Sequence, residues 1–189
     1  MGSSTRSNAW TGVEVVPSRT ARRVIGVVAF AAATALGAKI ALPIPGTPVP
    51  FTFQPLFVLL AGAVLGGRLG AASQALYLAA GLAGLPVFAA GGGAAYLLGP
   101  TGGYLMAYPL AAFLAGALAD RGAFARLGGL LAGLAAIYAG GLAWLAVQGG
   151  FTAAVAWGVA PFVLTDLVKV GMALMVSLRV RGRARKLFG

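Results

Sequence analysis

Long apolar runs dominate the chain from residue 24 onward, and short polar or Pro- and Gly-rich connections separate them. A helix that crosses a membrane needs about 17–25 predominantly apolar residues. Six segments approach this length: residues 24–42, 52–66, 71–89, 103–119, 127–147 and 157–178. The second is short, which indicates a tilted helix or one buried against its neighbours. The pattern therefore predicts an all-α membrane protein with six transmembrane helices.

The composition agrees with this fold class. Of 189 residues, 60% are hydrophobic and only 9% are charged, which is typical of a polytopic membrane protein and not of a soluble one. We expect a disordered cytoplasmic arm at residues 1–20, one transmembrane domain at 21–180 and a basic cytoplasmic tail at 181–189. The tail is expected to lie at anionic lipid headgroups.

The positive charges predict the orientation of the helices. With six spans, 12 of the 14 basic residues fall in the two termini and in the second and fourth connections, which then lie on one side. Basic residues mark the cytoplasmic side, so both termini are expected there. The remaining two, Lys39 and Lys169, fall within apolar segments. This distribution accounts for the net charge of +11 without a nucleic-acid partner.

Several kinds of chemistry are excluded by residues that the chain lacks. It has no cysteine and no histidine, so thiolate and histidine-based catalysis and common zinc sites cannot be built. The acids are only Glu14, Asp120 and Asp166, and they are scattered. No Walker A phosphate loop is present, so ATP hydrolysis would need another subunit. A Ser–Lys intramembrane enzyme is disfavoured, since Ser177 is eight residues from Lys169. We expect no enzyme activity, no metal and no cofactor.

An acid and a base lie close together in the last apolar run. Asp166 and Lys169 are the only charges in residues 161–178. An ionisable residue inside a membrane is costly, so it suggests a functional site. Positions i and i+3 share one helix face, and the two side chains can therefore offer an acceptor and a donor to one ligand. Helix geometry places this pair and Lys39 in the outer half of the membrane. The alternative is that these charges only neutralise one another.

Two unusual connections lie on the outer side above these charges. Residues 42–54 contain four prolines, which predicts a stiff, non-helical loop. Residues 86–103 contain many glycines, which let the backbone turn sharply and approach a ligand. Both loops could merely end helices, but together they favour a covered ligand pocket. The first span is rich in alanine, and a face of small residues can dock a partner helix.

Four motifs resemble one known family over about residues 23–178. They are TPVPFTFQ at 47–54, GLPVF at 84–88, GPTGGY at 99–104 and Asp-x-x-Lys at 166–169. The chain resembles the BioY family, the biotin-binding S components of energy-coupling factor transporters. The resemblance implies six helices in a prokaryotic cytoplasmic membrane. It also implies a transmembrane coupling protein and two ATPase subunits as partners, docked partly through Ala31 and Ala35.

The resemblance makes biotin the expected ligand, with Asp166 and Lys169 as its principal contacts. A carboxylate can accept from the ureido N–H groups, and an ammonium can donate to a carbonyl or carboxylate. Further expected contacts are Gln54 and Lys39, with apolar walls from Phe51, Phe53, Phe88 and Tyr96. Two alternatives remain open: an S component for another vitamin, and a secondary transporter that works alone.

Overall fold

The computed structural model describes residues 18–188, and these residues form eight helices and one short hairpin. In chain order the elements are α1 (Arg19–Lys39), β1 (Ala41–Leu42), β2 (Phe51–Thr52), α2 (Gln54–Leu65), α3 (Gly67–Leu82), α4 (Ala94–Leu97), α5 (Gly102–Ala117), α6 (Ala123–Gly149), α7 (Phe151–Gly158) and α8 (Val163–Phe188). The six longer helices correspond to the six predicted segments. The predicted arm at residues 1–20 lies almost entirely outside the described residues.

A two-stranded hairpin follows α1, and the sequence did not predict it. β1 and β2 are antiparallel, with Ala41 opposite Thr52 and Leu42 opposite Phe51. The turn at residues 43–50 carries four prolines, which cannot donate backbone hydrogen bonds. This limits the paired strands to two residues each. The predicted non-helical character of the loop is confirmed.

The second helix is short and is packed against other helices along almost its whole length. Its 12 residues rise about 18 Å at 1.5 Å per residue. Ten of the 12 are buried. Gly66 follows with φ of 91°, which lets the chain reverse directly into α3. A Cβ on Gly62 would collide with the backbone of Ala112 in α5, and a Cβ on Gly70 would collide with Gly62. The backbones of α2, α3 and α5 are therefore in close contact.

The last predicted segment, 157–178, contains a bend that the sequence did not predict. The chain forms α7 and α8, which are bent by 54° at a break of four residues. Pro161 lies in this break, where it lacks an amide hydrogen and disfavours helical geometry in the preceding residue. α8 then continues through the basic tail. At its end, the carbonyl of Phe188 accepts from Arg23 Nε at 3.0 Å.

The described helices have the character of a membrane protein. α1 and α6 are each long and apolar enough to cross a membrane, and the bent pair α7–α8 also qualifies if it is counted as one span. α2 and α5 are shorter apolar helices. Large apolar side chains are exposed on the outer faces of the bundle, such as Leu36 at 68% and Leu164 at 76%. Such a surface suits lipid.

The guanidinium of Arg181 connects three elements by hydrogen bonds at the end of the bundle opposite the hairpin. Arg181 of α8 donates to both carboxylate oxygens of Asp120, at 3.0 and 2.7 Å, and to the carbonyl oxygen of Val64 in α2. The hydrogen bonds from Arg181 hold the pKa of the Asp120 carboxyl below its ordinary value. This cluster joins α2, the α5–α6 turn and α8.

Candidate functional site

A cavity lies between the hairpin, α2, α4, α5, α6 and the break before α8. The space between these elements, including the part that is open to solvent, is about 550 Å³. Most of its 17 lining residues are apolar or aromatic. Its charged lining residues, over the part of the chain that the structure describes, are Asp166 and Lys169. This combination of apolar walls and few polar groups is characteristic of a ligand pocket.

Asp166 and Lys169 form a buried ion pair on the first turns of α8. Lys169 Nζ lies 2.6 Å from Asp166 Oδ1. The two residues are only 4% and 3% exposed. The break before α8 places these turns beside the cavity instead of extending the preceding helix past it. The predicted i, i+3 arrangement is therefore present in the structure.

The ammonium of Lys169 makes two hydrogen bonds and one cation–π contact. One N–H group donates to Asp166, and a second donates to the carbonyl oxygen of Thr52 at 2.7 Å. Another side of the ammonium faces the ring of Phe51, whose centroid is 4.0 Å from Nζ. This distance is within the range of a cation–π contact. The hairpin strand β2 is thereby held against α8.

The carboxylate of Asp166 keeps acceptor capacity. Its Oδ2 atom accepts a hydrogen bond from the hydroxyl of Tyr138 at 2.6 Å, while Oδ1 accepts from Lys169. A carboxylate offers about four acceptor positions. No other donor to this carboxylate is found among residues 18–188, so two positions are left for N–H or O–H donors of a ligand in the cavity.

A series of hydrogen bonds connects the start of α2 with the glycine-rich loop. Thr52 Oγ1 donates to Gln54 Oε1 at 3.1 Å, and Gln54 Nε2 donates to the hydroxyl of Tyr77 at 2.6 Å. Tyr77 in turn donates to the carbonyl of Val87 at 3.2 Å. Nearby, the hydroxyl of Tyr108 lacks a hydrogen-bond partner among the described residues. Tyr108 lines the cavity, so its hydroxyl is available to a ligand.

Tyr104 fixes the wall between α5 and α7. Its hydroxyl donates to the carbonyl oxygen of Gly158 at 2.8 Å. A Cβ on Gly141 or Gly158 would collide with the Tyr104 side chain. Both glycines are therefore required for this ring to lie where it lines the cavity.

Four of the eight predicted contacts and walls line the cavity: Asp166, Lys169, Gln54 and Tyr96. The other four, Phe51, Phe53, Lys39 and Phe88, are not among the lining residues. Phe88 is fully buried and stacks on Tyr96, with ring centroids 5.1 Å apart. Lys39 Nζ donates to the carbonyl oxygen of Phe88 at 2.9 Å. Lys39 thus holds the glycine-rich loop.

The two predicted docking residues of α1 face inward. Ala31 is 8% exposed and belongs to the hydrophobic core, and Ala35 packs against that core. The exposed alanines of the helix are Ala29 and Ala32. The alanine-rich sequence of α1 offers several pairs of alanines as docking residues, and their burial shows which of them are accessible to a partner.

Sequence reasoning missed the tyrosines of the site, Tyr104, Tyr108 and Tyr138. A tyrosine in an apolar span is unremarkable because it also occurs at membrane interfaces. One signal was available: Tyr104 and Tyr108 are four residues apart, and α5 therefore presents both on one face. The contact between Tyr138 and Asp166 joins two helices and has no local sequence signal.

The helices and the cavity define a membrane protein that binds a small molecule in a buried pocket. The sequence profile of the BioY family matches residues 7–186. The chain belongs to the BioY family.

Two curated relatives cover most of this chain. The probable biotin transporter BioY of Pyrococcus horikoshii is 45% identical over 163 residues, which are 86% of this chain and 98% of that protein. The biotin transporter BioY of Thermotoga maritima is 42% identical over 164 residues, covering 85% and 96%.

A solved structure shares the fold. The crystal structure of the S-component for biotin from an ECF-type ABC transporter superposes with a TM-score of 0.81 at 26% identity. The match covers 90% of this chain and 97% of that one. The arrangement of helices around the cavity is therefore that of a known S component.

Proposed function

We propose that this protein binds biotin in the cavity and takes it up as the substrate-binding subunit of an ECF-type transporter in a prokaryotic cytoplasmic membrane. One observation carries the assignment of the site. Asp166 is buried, lines the cavity and has two acceptor positions that no donor among residues 18–188 occupies. The ureido ring of biotin has two N–H donors, which match these two positions in number and chemistry. The family membership and the named relatives support the choice of ligand.

The remaining polar groups suit the rest of the ring system. The ureido carbonyl needs a donor, and the free hydroxyl of Tyr108 is available for that role. Gln54 Nε2 has a second N–H beyond the one that it donates to Tyr77. The thioether ring and the aliphatic chain are apolar and fit walls such as Ile137 and Phe162.

ATP-driven uptake needs partners, because this chain carries no Walker A motif. We assign ATP hydrolysis to two ATPase subunits and docking to a transmembrane coupling protein. In this scheme the outer loops close over biotin, and docking then tips the subunit so that the cavity faces inward. The exposed face of α1, with Ala29 and Ala32, is suited to close packing against a partner helix. It replaces the inward-facing Ala31 and Ala35 as the proposed contact.

The docking assignment is tested with a large side chain on each face of α1. Ala32→Leu should reduce biotin uptake in cells that express the partner subunits and leave biotin binding by the purified protein intact. Ala31→Leu, which overfills the core, should instead lower thermal stability by about 1–3 kcal/mol. Full uptake by Ala32→Leu would exclude this face as the docking surface.

We further propose that the chain forms six spans between cytoplasmic termini. The grouping of 12 of 14 basic residues on one side supports this topology. The chain has no cysteine, so single cysteines can report it. Exposed Ala90 lies in an outer loop of this topology and exposed Ala123 lies at the inner end of α6. A membrane-impermeant maleimide should label Ala90→Cys in intact cells and Ala123→Cys only after lysis. The reverse pattern would invert the topology.

The ligand site is tested with the purified protein in detergent. Titration calorimetry with biotin should show binding by the natural protein. Asp166→Asn should weaken it by at least about tenfold, because a hydrogen bond to a charged group contributes roughly 1.5–3 kcal/mol. Lys169→Ala should also weaken it, because it leaves Asp166 unpaired. Unchanged affinity in both variants would contradict the site, and no binding of biotin by the natural protein would contradict the function.

A further inference from the structure

The charges around the cavity are few and already paired. Of the 17 lining residues in the described part of the chain, Asp166 and Lys169 carry the charges, and they lie 2.6 Å from each other. The cavity is therefore neutral as a whole. Biotin, by contrast, carries one carboxylate at the end of its chain, and this anion needs a partner or water.

Lys169 is not free to bind that carboxylate. Its ammonium already contacts Asp166, the Thr52 carbonyl and the Phe51 ring. A carboxylate could reach the ammonium only by displacing one of these partners. Displacing the Phe51 ring would lose the cation–π contact. Displacing Thr52 would leave a buried carbonyl without its donor, and displacing Asp166 would leave a buried anion unpaired. The last two losses are costly because the groups concerned are buried.

The other lysine of the outer half does not supply a cation either. Lys39 is outside the cavity lining, and its ammonium donates to the carbonyl of Phe88 at 2.9 Å. The lining residues that come from the outer loops are uncharged; they include Val49, Pro50, Ala89, Tyr96 and Thr101. These residues offer hydroxyl and apolar contacts, which serve a carboxylate and a carboxamide oxygen alike.

We propose that the cavity recognises the ureido ring of its ligand and does not select for the carboxylate, so that biotin derivatives with a neutral chain end are also ligands. The inference rests on the proposed function, since it assumes that biotin binds in this cavity with its ring at Asp166. It names the class of substrate: biotin, its primary amide and its methyl ester. A buried ion pair between the carboxylate and a lysine would instead favour biotin over the amide by about tenfold or more.

The test is calorimetry of the full-length natural protein in detergent with three ligands: biotin, biotin amide and biotin methyl ester. The amide is close in shape to the acid and differs mainly in charge. We expect the dissociation constants of biotin and the amide to agree within tenfold. Biotin binding with a loss of more than tenfold for the amide would overturn this inference and leave the proposed function intact. If biotin itself does not bind, the proposed function fails and the inference fails with it.

A matched variant examines the second lysine. Lys39→Met should change the affinities for biotin and for the amide by the same factor, because Lys39 supports the loop and does not contact the ligand's charge. If the variant weakens biotin binding at least tenfold more than amide binding, Lys39 holds the carboxylate and the inference is wrong. The ratio of the affinities for biotin and for the amide therefore shows whether Lys39 contacts the carboxylate, even where the variant loosens the loop.

Discussion

The hydroxyl of Tyr138 donates to Asp166 at 2.6 Å, on the carboxylate oxygen that Lys169 does not hold. α6 and α8 thus position one carboxylate from two sides. Tyr138→Phe removes this hydrogen bond and keeps the ring. We expect biotin affinity to fall by about threefold to tenfold, since a typical hydrogen bond contributes roughly 0.5–1.5 kcal/mol and more when one partner is charged. Calorimetry in detergent measures this change, and an affinity equal to that of the natural protein would show that the carboxylate is held without Tyr138.

Single and double substitutions of Asp166 and Lys169 can separate the effect of the pair on protein stability from its effect on biotin binding. Removing one partner of a buried pair costs about 3–5 kcal/mol, whereas replacing both by neutral groups of similar volume is often tolerated. Lys169→Met should therefore lower the melting temperature of the ligand-free protein, and Asp166→Asn combined with Lys169→Met should recover part of that loss. Neither variant should bind biotin as tightly as the natural protein. A double variant that melts below Lys169→Met would contradict the inferred pairing.

Lys39 holds the carbonyl of Phe88, and Phe88 supports the cavity wall through Tyr96. Lys39→Met should loosen the glycine-rich loop without removing a lining group. We expect biotin to dissociate several-fold faster, with a smaller change in its association rate. Stopped-flow displacement of a fluorescent biotin analogue would measure both rates. An unchanged dissociation rate would indicate that the loop is held by other contacts.

Two helical glycines make a matched pair for the packing of Phe88. A Cβ on Gly81 would collide with the Phe88 ring, while a Cβ on Gly171 would meet nothing within 4 Å. Gly81→Ala should lower both the melting temperature and biotin affinity. Gly171→Ala should leave binding unchanged and raise stability by up to about 1 kcal/mol, because alanine favours a helix. Equal effects of the two substitutions would show that the Phe88 contact does not determine stability.

Asp120 gives the protein an acid-sensitive contact at the cytoplasmic end of the proposed topology. The hydrogen bonds from Arg181 lower the pKa of Asp120 in the folded protein. A lowered folded-state pKa stabilises the protein above the ordinary carboxyl pKa of about 4. This contribution is lost as the pH falls through the lowered value. Asp120→Asn should melt below the natural protein at pH 7, and the gap should close in acid. A gap that is constant with pH would contradict a contribution from the ionised carboxylate.

Much of the fold could be predicted because apolar length and positive charge are direct signals in a membrane protein. Asp166 and Lys169 stood out for the same reason, as charges in an otherwise apolar run. The break around Pro161 was missed because residues 157–178 read as one apolar segment, and hydropathy does not record a 54° bend.

The rest of the site depends on contacts between distant parts of the chain. Lys39 has the right depth for the cavity, but its ammonium reaches a backbone carbonyl 49 residues away. No pattern in the sequence predicts that the carbonyl of Phe88 lies beside the ammonium of Lys39. The inward direction of Ala31 was equally hidden, since its neighbours on α1 are also alanines and only the packing of the bundle distinguishes them.

The internal neutrality of the Asp166–Lys169 pair has an electrical consequence. Moving one elementary charge across a membrane potential of 100 mV involves about 2.3 kcal/mol. If the subunit tips as proposed and carries its cavity through the bilayer, the pair contributes no net charge to that movement. The voltage then acts on the carboxylate of biotin and not on the ring-binding site. Uptake of biotin and uptake of a ligand with a neutral chain end should accordingly differ in their sensitivity to membrane voltage.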